Sequence, residues 1–415
     1  MSKGITERIL TTILPTNHFA IDASQILHVY ENGVYKPNGD SSIQKLIPPL
    51  LQSWDIAWAS SIPSEVIKYL IQTSPQLPEK PRSNTVNLQN GVLDLATRKL
   101  SPHSPTDLDF IQLPIKYNPD ATCPTWEQCI NDWFPADSQT LAWELIAWII
   151  QPHVQIQKAI ILFGSGSNGK SLFLNGLTTF LGLANVANKS LFDLETNRFS
   201  AAFLASKIVN ICADLPAGKM TDTGIFKAIV GGDSITGEVK FKPAFNLHLF
   251  TKLIFSTNYL PRSTDTSDAF FRRWMVIPFD RVFADNPKQK KLLEASLYSE
   301  SEMSGLLNKA LQYTQHVADF GLSESTSTAI AHSEYKEDSD TISTWLNLNI
   351  IERSTTYLIK PQLYQAYERD YPDGTSATAF AQRLQDIYPE VESSIKRIGA
   401  KTFRCWEGVT WKGSI

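Results

Sequence analysis

The stretch that decides the fold is Gly164-Ser165-Gly166-Ser167-Asn168-Gly169-Lys170-Ser171, which fits the pattern G-x-x-x-x-G-K-S/T at every position. The apolar run at residues 159–163 predicts a strand before it, and the residues at 170–181 predict a helix after it. Glycines let backbone N–H groups approach phosphate oxygens, and a helix N-terminus adds partial positive charge. The stretch therefore predicts a phosphate-binding loop. The alternative is a Gly/Ser loop that matches the pattern by chance, which would not account for the predicted strand before it and the predicted helix after it.

Individual residues of this loop have separate predicted roles. Lys170 is expected to reach the β- and γ-phosphates of ATP, and the Ser171 hydroxyl is expected to coordinate Mg²⁺. ATP and Mg²⁺ are therefore the predicted cofactors. The residues expected to bind the nucleotide are Gly164, Ser165, Gly166, Ser167, Asn168, Gly169, Lys170 and Ser171.

Two more polar residues follow apolar runs that predict buried strands. Asp214 follows the run at 208–212, and Asn258 follows the run at 253–256. We expect Asp214 to be a Mg²⁺ ligand beside the loop, and Asn258 to orient the attacking water or sense the γ-phosphate. An ordinary loop-capping Asp and a turn-forming Asn are the alternatives. Only one carboxylate stands at this place, so the residue that polarises the water is left open.

A pair of arginines follows in Phe270-Phe271-Arg272-Arg273-Trp274. We expect Arg272 or Arg273 to act on the nucleotide of a neighbouring subunit, where a guanidinium stabilises the charge that develops on the transferred phosphoryl group. A surface salt bridge is the alternative. The sequence does not distinguish which of the two arginines acts.

Two basic segments are candidates for binding DNA. Residues 236–242 predict a hairpin in which Lys240 and Lys242 flank an aromatic ring, a composition that suits single-stranded nucleic acid. Near the C-terminus Lys396, Arg397 and Lys401 belong to a locally basic segment that suits phosphate binding. A solvated edge hairpin and a protein-binding module are the respective alternatives. Arg383, on a predicted recognition helix, is a weaker candidate.

Composition bounds the class of protein. The 415 residues carry 38 basic and 42 acidic side chains, a net charge of −4. This charge argues against a protein that binds nucleic acid over its whole surface, but it does not exclude local basic surfaces. No apolar stretch predicts a transmembrane helix or a signal peptide. The four cysteines match no zinc or disulfide pattern, which favours a reduced compartment: the cytoplasm, or the host-cell interior if the protein is viral.

The chain divides into five predicted regions, and its alternating strands and helices predict an α/β fold. The C-terminal pattern of helix, helix and hairpin predicts a winged helix-turn-helix. The regions are a mixed α/β region at 1–83, a mostly helical domain at 84–157, the α/β core at 158–283, a helical region at 284–338 and the winged helix at 339–415.

The combination of motifs resembles superfamily 3 helicases, most closely the helicase part of phage, plasmid and poxvirus primase-helicases. The residues that carry this resemblance are the loop at 164–171, Asp214, the hairpin, Ser256-Thr257-Asn258-Tyr259-Leu260-Pro261 and the arginine pair with Pro278-Phe279. Upstream, Asn90-Gly91-Val92-Leu93-Asp94-Leu95 resembles the linker-type domain that precedes the motor in that family. The likeness covers residues 84–412.

The resemblance implies an AAA+-like P-loop ATPase that forms a ring, usually a hexamer. It implies that ATP lies between subunits, that Arg272 or Arg273 comes from the next subunit, and that Lys240 and Lys242 grip one DNA strand in the central channel. Relatives more often show Glu or two acids where this chain has Asp214 alone, so the general base is not assigned.

We therefore expect an ATP-dependent replicative DNA helicase of a mobile element or virus, which translocates on single-stranded DNA and unwinds a fork. Residues 1–83 either support subunit packing or dock a separate primase, and we expect no primer synthesis by this chain. An ATP-switched origin-remodelling or loading ATPase without processive unwinding is the alternative. A P-loop kinase or GTPase is disfavoured, because neither needs an arginine from another subunit or a basic winged helix.

Overall fold

The structure is a computed structural model that describes residues 2–197, 199–215, 218–238, 244–284, 286–372 and 374–412. The chain forms two compact units, Met1–Ala331 and His332–Ile415. The first unit is a mixed α/β structure with a parallel sheet. No helix in these described ranges is both long and apolar enough to cross a bilayer.

The N-terminal region is a three-stranded antiparallel meander packed against three helices. Its elements are α1 (Ser2–Ile13), β1 (Phe19–Ile21), β2 (Leu27–Glu31), β3 (Val34–Lys36), α2 (Gly39–Ser53) and α3 (Ser61–Thr73). The helices bury one apolar face each, including Ile9, Ile47 and Val66, against the strands. The mixed α/β character predicted for this region is confirmed. The stretch at 74–83 bonds to β1, where Leu77 N donates to Ile21 O at 2.7 Å.

Residues 84–157 combine a small antiparallel sheet with two helices. The elements are β4 (Thr85–Leu88), β5 (Gly91–Asp94), β6 (Leu100–Ser101), α4 (Pro124–Trp133) and α5 (Gln139–Ile149). Strands β4 and β5 form a hairpin that turns at Gln89-Asn90. The chain turns between α4 and α5 at Pro135, whose ring disfavours helical geometry in the preceding residue.

The centre of the first unit is a five-stranded parallel sheet of order β15-β7-β13-β9-β8. Its strands, rich in Ile, Val and Phe, are buried on both faces, as parallel sheets require. The sheet and its crossover helices are β7 (Ala159–Phe163), α6 (Lys170–Leu181), β8 (Val186–Ala187), α7 (Leu191–Thr196), β9 (Val209–Cys212), α8 (Gly224–Gly231), β13 (Lys252–Thr257), α9 (Asp268–Phe271) and β15 (Trp274–Pro278). The strands and the helix expected around the glycine-rich loop (residues 164–171) are confirmed.

Two short two-stranded sheets accompany this core. One pairs β10 (Lys219–Met220) with β14 (Arg262–Ser263), and the other is the hairpin of β11 (Ser234–Gly237) and β12 (Phe245–His248). A hairpin is therefore present, but its strands flank the segment expected at 236–242, most of which lies outside the described residues. Its residues Lys240 and Lys242 lie outside the described residues.

The region after the sheet is helical, as expected. It contains α10 (Pro287–Leu297), α11 (Glu300–Leu311), α12 (Thr314–Phe320) and α13 (Thr326–Ser339). Helices α10, α11 and α12 pack against α4 and α5, and the buried Glu302 accepts hydrogen bonds from the backbone N–H groups of Thr125 and Trp126 at 3.0 and 3.2 Å. Glu302 thereby satisfies the free donors at the start of α4.

The second unit packs three helices on a three-stranded antiparallel sheet of order β16-β18-β17. Its elements are α14 (Thr341–Asn349), β16 (Ile350–Ile359), α15 (Lys360–Asp370), α16 (Ala377–Ile387), β17 (Glu392–Ile398) and β18 (Lys401–Trp411). The two helices and the hairpin after them stand in the predicted order, whereas α14 and β16 were not foreseen. Trp345, Leu363, Phe380 and Trp406 form its core.

Candidate active site

The glycine-rich loop joins the carboxyl end of β7 to the first turn of α6, and two of its glycines are required by close contacts. Gly164 has φ +159° and Gly169 has φ +92°. A Cβ atom at Gly164 would collide with the carbonyl oxygen of Phe279, and one at Gly169 would collide with the indole ring of Trp133. The loop is therefore packed between two segments that lie far from it in the sequence.

The loop is also held by hydrogen bonds from the segment that follows β15. The buried Asn168 donates from Nδ2 to the carbonyl of Phe279 at 2.9 Å, and Phe283 N donates to the carbonyl of Ser167 at 2.8 Å. In contrast Ser165, Gly166 and Ser167 are exposed. The ends of the loop are thus fixed while its middle faces solvent.

Lys170 is buried, with 6% of its surface exposed, although it begins a helix. Its ammonium donates to the carbonyls of Gly164 and Ser165 at 2.7 and 3.0 Å and to Oδ1 of Asn168 at 3.0 Å. Burial lowers the pKa of Lys170 below its ordinary value, and the negative charge of Asp214 opposes part of that shift. The cation is therefore held over the loop by acceptors that a bound phosphate could replace.

Asn258 and Asp214 converge on this lysine from the two neighbouring strand ends. Strand β13 lies between β7 and β9, so Asn258, at its carboxyl end, stands beside the loop, and its Oδ1 accepts from Lys170 Nζ at 3.3 Å. Asp214 follows β9, and its segment is tied to β13 by Leu215 N, which donates to Ser256 O at 2.9 Å. Both side chains are exposed at the edge where ligands bind to open α/β sheets.

These residues fit a bound nucleoside triphosphate and a hard divalent cation. The start of α6 supplies backbone N–H groups and partial positive charge, and a Cβ placed on Gly166 would meet no atom within 4 Å, so the loop leaves open space there. The Ser171 hydroxyl and the Asp214 carboxylate, both exposed, offer the oxygen ligands that Mg²⁺ prefers.

Arg272 and Arg273 lie at the opposite edge of the sheet. Arg273 directly precedes β15, and its carbonyl accepts from Ala159 N, at the start of β7, at 2.6 Å. The five residues of β7 separate that point from the loop by about 17 Å. The guanidinium of Arg273 donates to the carbonyl of Ala269, whereas Arg272 is exposed. The structure does not bring these arginines to the Lys170 of their own chain.

The C-terminal candidates all lie on the β17–β18 hairpin of the second unit. Lys396 forms an ion pair of 2.9 Å with Glu407, whereas Arg397 and Lys401 are exposed. The guanidinium of the weaker candidate Arg383 donates to the buried carboxylate of Asp340, the residue before α14, with Nε at 3.0 Å. This pair fixes α16 to the rest of its unit and engages the guanidinium of Arg383 there.

Two families match parts of the chain. Residues 162–273 match the family described as "Family of unknown function (DUF5906)", and residues 59–135 match the family described as "D5 N terminal like". Domains of both kinds are found in proteins of the primase-helicase type from phages and plasmids. Two segments of this chain are thus similar to domains of such proteins.

Solved structures share the fold along almost the whole chain. The apo structure of the NrS-1 C-terminal region (305–718) matches with a TM-score of 0.51 and 14% identity, over 97% of this chain and 98% of that chain. An A form apo structure of the same region gives a TM-score of 0.50 and 14% identity over the same shares. At this identity the likeness shows the fold alone.

Sequence reasoning missed the residues that support the loop from outside. Trp133, at the end of the segment that matches the D5-type family, contacts Gly169 of the loop. Phe279 and Phe283, which bond to Asn168 and Ser167, were not assigned any role at the loop. No local pattern indicates these contacts, because they depend on how separate segments pack.

Proposed function

We propose that this chain is an ATP-dependent DNA helicase of a mobile element or virus, in which residues 158–283 form an AAA+-like P-loop ATPase core. Its relatedness to primase-helicases supports a role in replication. The observation that carries the proposal is the convergence of Lys170, Asn258 and Asp214 on one edge of a parallel sheet.

In this proposal each residue of the site has one role. The loop N–H groups and Lys170 hold the phosphates of ATP, and Ser171 and Asp214 hold Mg²⁺. When bound, Mg²⁺ would neutralise the charge that develops on the phosphates. Asn258, within hydrogen-bond reach of Lys170, orients the attacking water or responds to the γ-phosphate. Asp214 is the carboxylate at the end of β9, and the water's proton acceptor is not assigned.

The position of the arginines supports an assembly of several subunits. Arg272 and Arg273 lie at the amino ends of the strands, whereas their own loop lies at the carboxyl ends. They therefore complete a site only if they reach the loop of a neighbouring subunit. A closed ring, expected to be a hexamer, satisfies this requirement at every interface. The β11–β12 hairpins, with Lys240 and Lys242, would then line the channel for one DNA strand.

The second unit is proposed to be a winged helix that binds DNA. Helices α15 and α16 followed by the β17–β18 hairpin have the order expected of that motif. Its exposed basic residues stand on the hairpin that would form the wing.

A strand-displacement assay on a forked DNA tests the proposed activity. The wild-type chain should release the displaced strand with ATP and Mg²⁺, and Lys170→Ala should abolish both release and hydrolysis, because the phosphates lose their buried cation. Circular dichroism of the variant controls for folding. Hydrolysis without displacement of any forked substrate would favour the remodelling or loading ATPase, and absence of hydrolysis by the wild type would contradict both.

A further inference from the structure

The β17–β18 hairpin has two faces of different charge. Residues that pair directly across antiparallel strands share a face. Ile395 pairs with Arg404 and Arg397 pairs with Thr402, so these four side chains lie together on the first face. Lys396 pairs with Phe403 and Ile398 with Lys401, which places both lysines on the second face.

The second face is balanced by acids. Glu392 pairs with Glu407 on that face, and Glu407 binds Lys396 at 2.9 Å. Lys396 also lies over the ring of Tyr357, at 5.1 Å from its centroid. The second face therefore carries two lysines and two carboxylates, and Lys396 already forms an ion pair with Glu407.

The first face carries cations without acids. Arg397 and Arg404 are exposed, and the first residue of α15, Lys360, joins them: its ammonium lies 3.4 Å from the centroid of the Trp406 ring and donates to Ser393 Oγ at 2.7 Å. Burial and the nearby charge of Arg404 lower the pKa of Lys360. No carboxylate lies within ion-pair distance of these three cations among the described residues of the second unit.

Like charges held together on a rigid surface repel one another unless an anion binds there. The apolar side chain of Ile395 stands between them with 71% of its surface exposed. The ring on this face, Trp406, is buried and covered by Lys360, so the described residues of the face present no aromatic surface on which the bases of a single strand could stack.

We propose that the face formed by Lys360, Ile395, Arg397 and Arg404 binds the sugar–phosphate backbone of duplex DNA, and that Lys396 and Lys401 do not. The arginines and Lys360 contact phosphates, and Ile395 contacts the sugars between them. A two-stranded ribbon of this kind is narrow enough to enter the major groove. The inference rests on the proposed DNA-binding function of the second unit and names the surface that performs it.

Two double variants that remove equal charge test this choice of face. Fluorescence anisotropy of a short labelled duplex, measured without ATP over a series of salt concentrations, gives the Kd and its salt dependence. Arg397→Ala/Arg404→Ala should raise the Kd about tenfold or more and reduce the slope of log K against log salt by about 2, since each phosphate contact contributes about 0.9. Lys396→Ala/Lys401→Ala should change both quantities much less.

Further variants and ligands distinguish duplex DNA from other binding partners. Arg397→Lys/Arg404→Lys should retain most of the affinity, because a phosphate attracts either cation, and thermal unfolding controls for the fold of each variant. Equal losses in the two alanine variants, or a larger loss in the lysine pair, would overturn the proposal. So would a loss confined to single-stranded DNA or to an acidic peptide, or a wild type that binds no duplex. Because ATP is absent, failure here is distinguishable from failure of hydrolysis.

Discussion

At the scale of single residues, a second buried lysine lies far from the glycine-rich loop. Lys252 opens β13 at the other edge of the sheet with 4% of its surface exposed. Its ammonium donates to the carbonyls of Gln151 and Phe250 at 3.1 and 3.2 Å. Burial lowers the pKa of Lys252 to about 7, with a further contribution from the charge of Lys80.

This shift predicts a stability that rises with pH. In the unfolded chain Lys252 keeps its proton up to about pH 10.5, so between pH about 7 and about 10.5 the unfolded state binds more protons than the folded state, and the free energy of unfolding increases with pH. From pH 7 to pH 9 the wild type should gain on the order of 1–3 kcal/mol relative to Lys252→Met, because one pKa unit corresponds to about 1.4 kcal/mol.

Urea unfolding of both proteins, followed by circular dichroism at each pH, measures this difference. Comparison with Lys252→Met cancels the titration of groups that the two proteins share. Burial and the charge of Lys252 lower the pKa of His153, which moves it away from this range. A difference between the two proteins that stays constant from pH 7 to pH 9 would show that Lys252 keeps its ordinary pKa.

At the scale of elements, α6 carries the glycine-rich loop and is shaped by α4. Gly176 lies within α6, where a Cβ atom would collide with the indole ring of Trp126. Alanine normally stabilises a helix interior relative to glycine by roughly 0.5–1 kcal/mol. Here we expect the opposite sign: Gly176→Ala should lower the free energy of unfolding by about 1–3 kcal/mol through overpacking.

A double-mutant cycle with Trp126→Phe identifies the cause. The smaller ring leaves room for the added methyl group, so Gly176→Ala should be neutral or stabilising in that background. Asn175→Ala, at the exposed neighbouring position, should change stability by less than about 0.5 kcal/mol. If Gly176→Ala costs the same in both backgrounds, the contact with Trp126 is not what excludes a side chain there.

Elements with strong local signals were predictable from the sequence, and those that depend on partners were not. β7 and α6 were predicted with their observed bounds, because a buried apolar run and a glycine-rich turn are local features. Strands β8, β10 and β14 have two residues each and exist only through pairing. β16 was missed because most of its side chains are exposed, so its pattern lacks the apolar alternation of a half-buried strand.

The candidate site shows the same division. That Asp214 and Asn258 both end strands could be read from the sequence, since each follows an apolar run. The placement of β13 between β7 and β9, which brings Asn258 within 3.3 Å of Lys170, depends on strand order, and no local pattern fixes that order. The contact of Trp133 with the loop likewise depends on the packing of two regions.

At the scale of the whole molecule, β15 runs from the amino end of the sheet, where the arginines lie, to its carboxyl end, where the glycine-rich loop lies. Arg273 directly precedes the strand, and Phe279 directly follows it, where its carbonyl accepts from Asn168 of the glycine-rich loop. In a ring, a protomer that contacts its neighbour's nucleotide through the arginines would thereby be linked to its own loop by five buried residues. Such a strand offers a physical route by which one site could affect the next.

The sharpest consequence of this arrangement is complementation between two inactive variants. Lys170→Ala lacks a working loop but keeps its arginines, and Arg272→Ala/Arg273→Ala lacks the arginines but keeps its loop. If the arginines act across an interface, each preparation alone should be inactive, whereas an equal mixture should place a working loop beside working arginines at about a quarter of the interfaces. Steady-state ATP hydrolysis, measured after subunits are allowed to exchange, should therefore recover to a clear fraction of the wild-type rate, and size-exclusion chromatography should confirm that the variants assemble together. A mixture that co-assembles and stays inactive, or an arginine variant that hydrolyses ATP normally as an isolated protomer, would show that each chain completes its own site and that β15 does not join two sites.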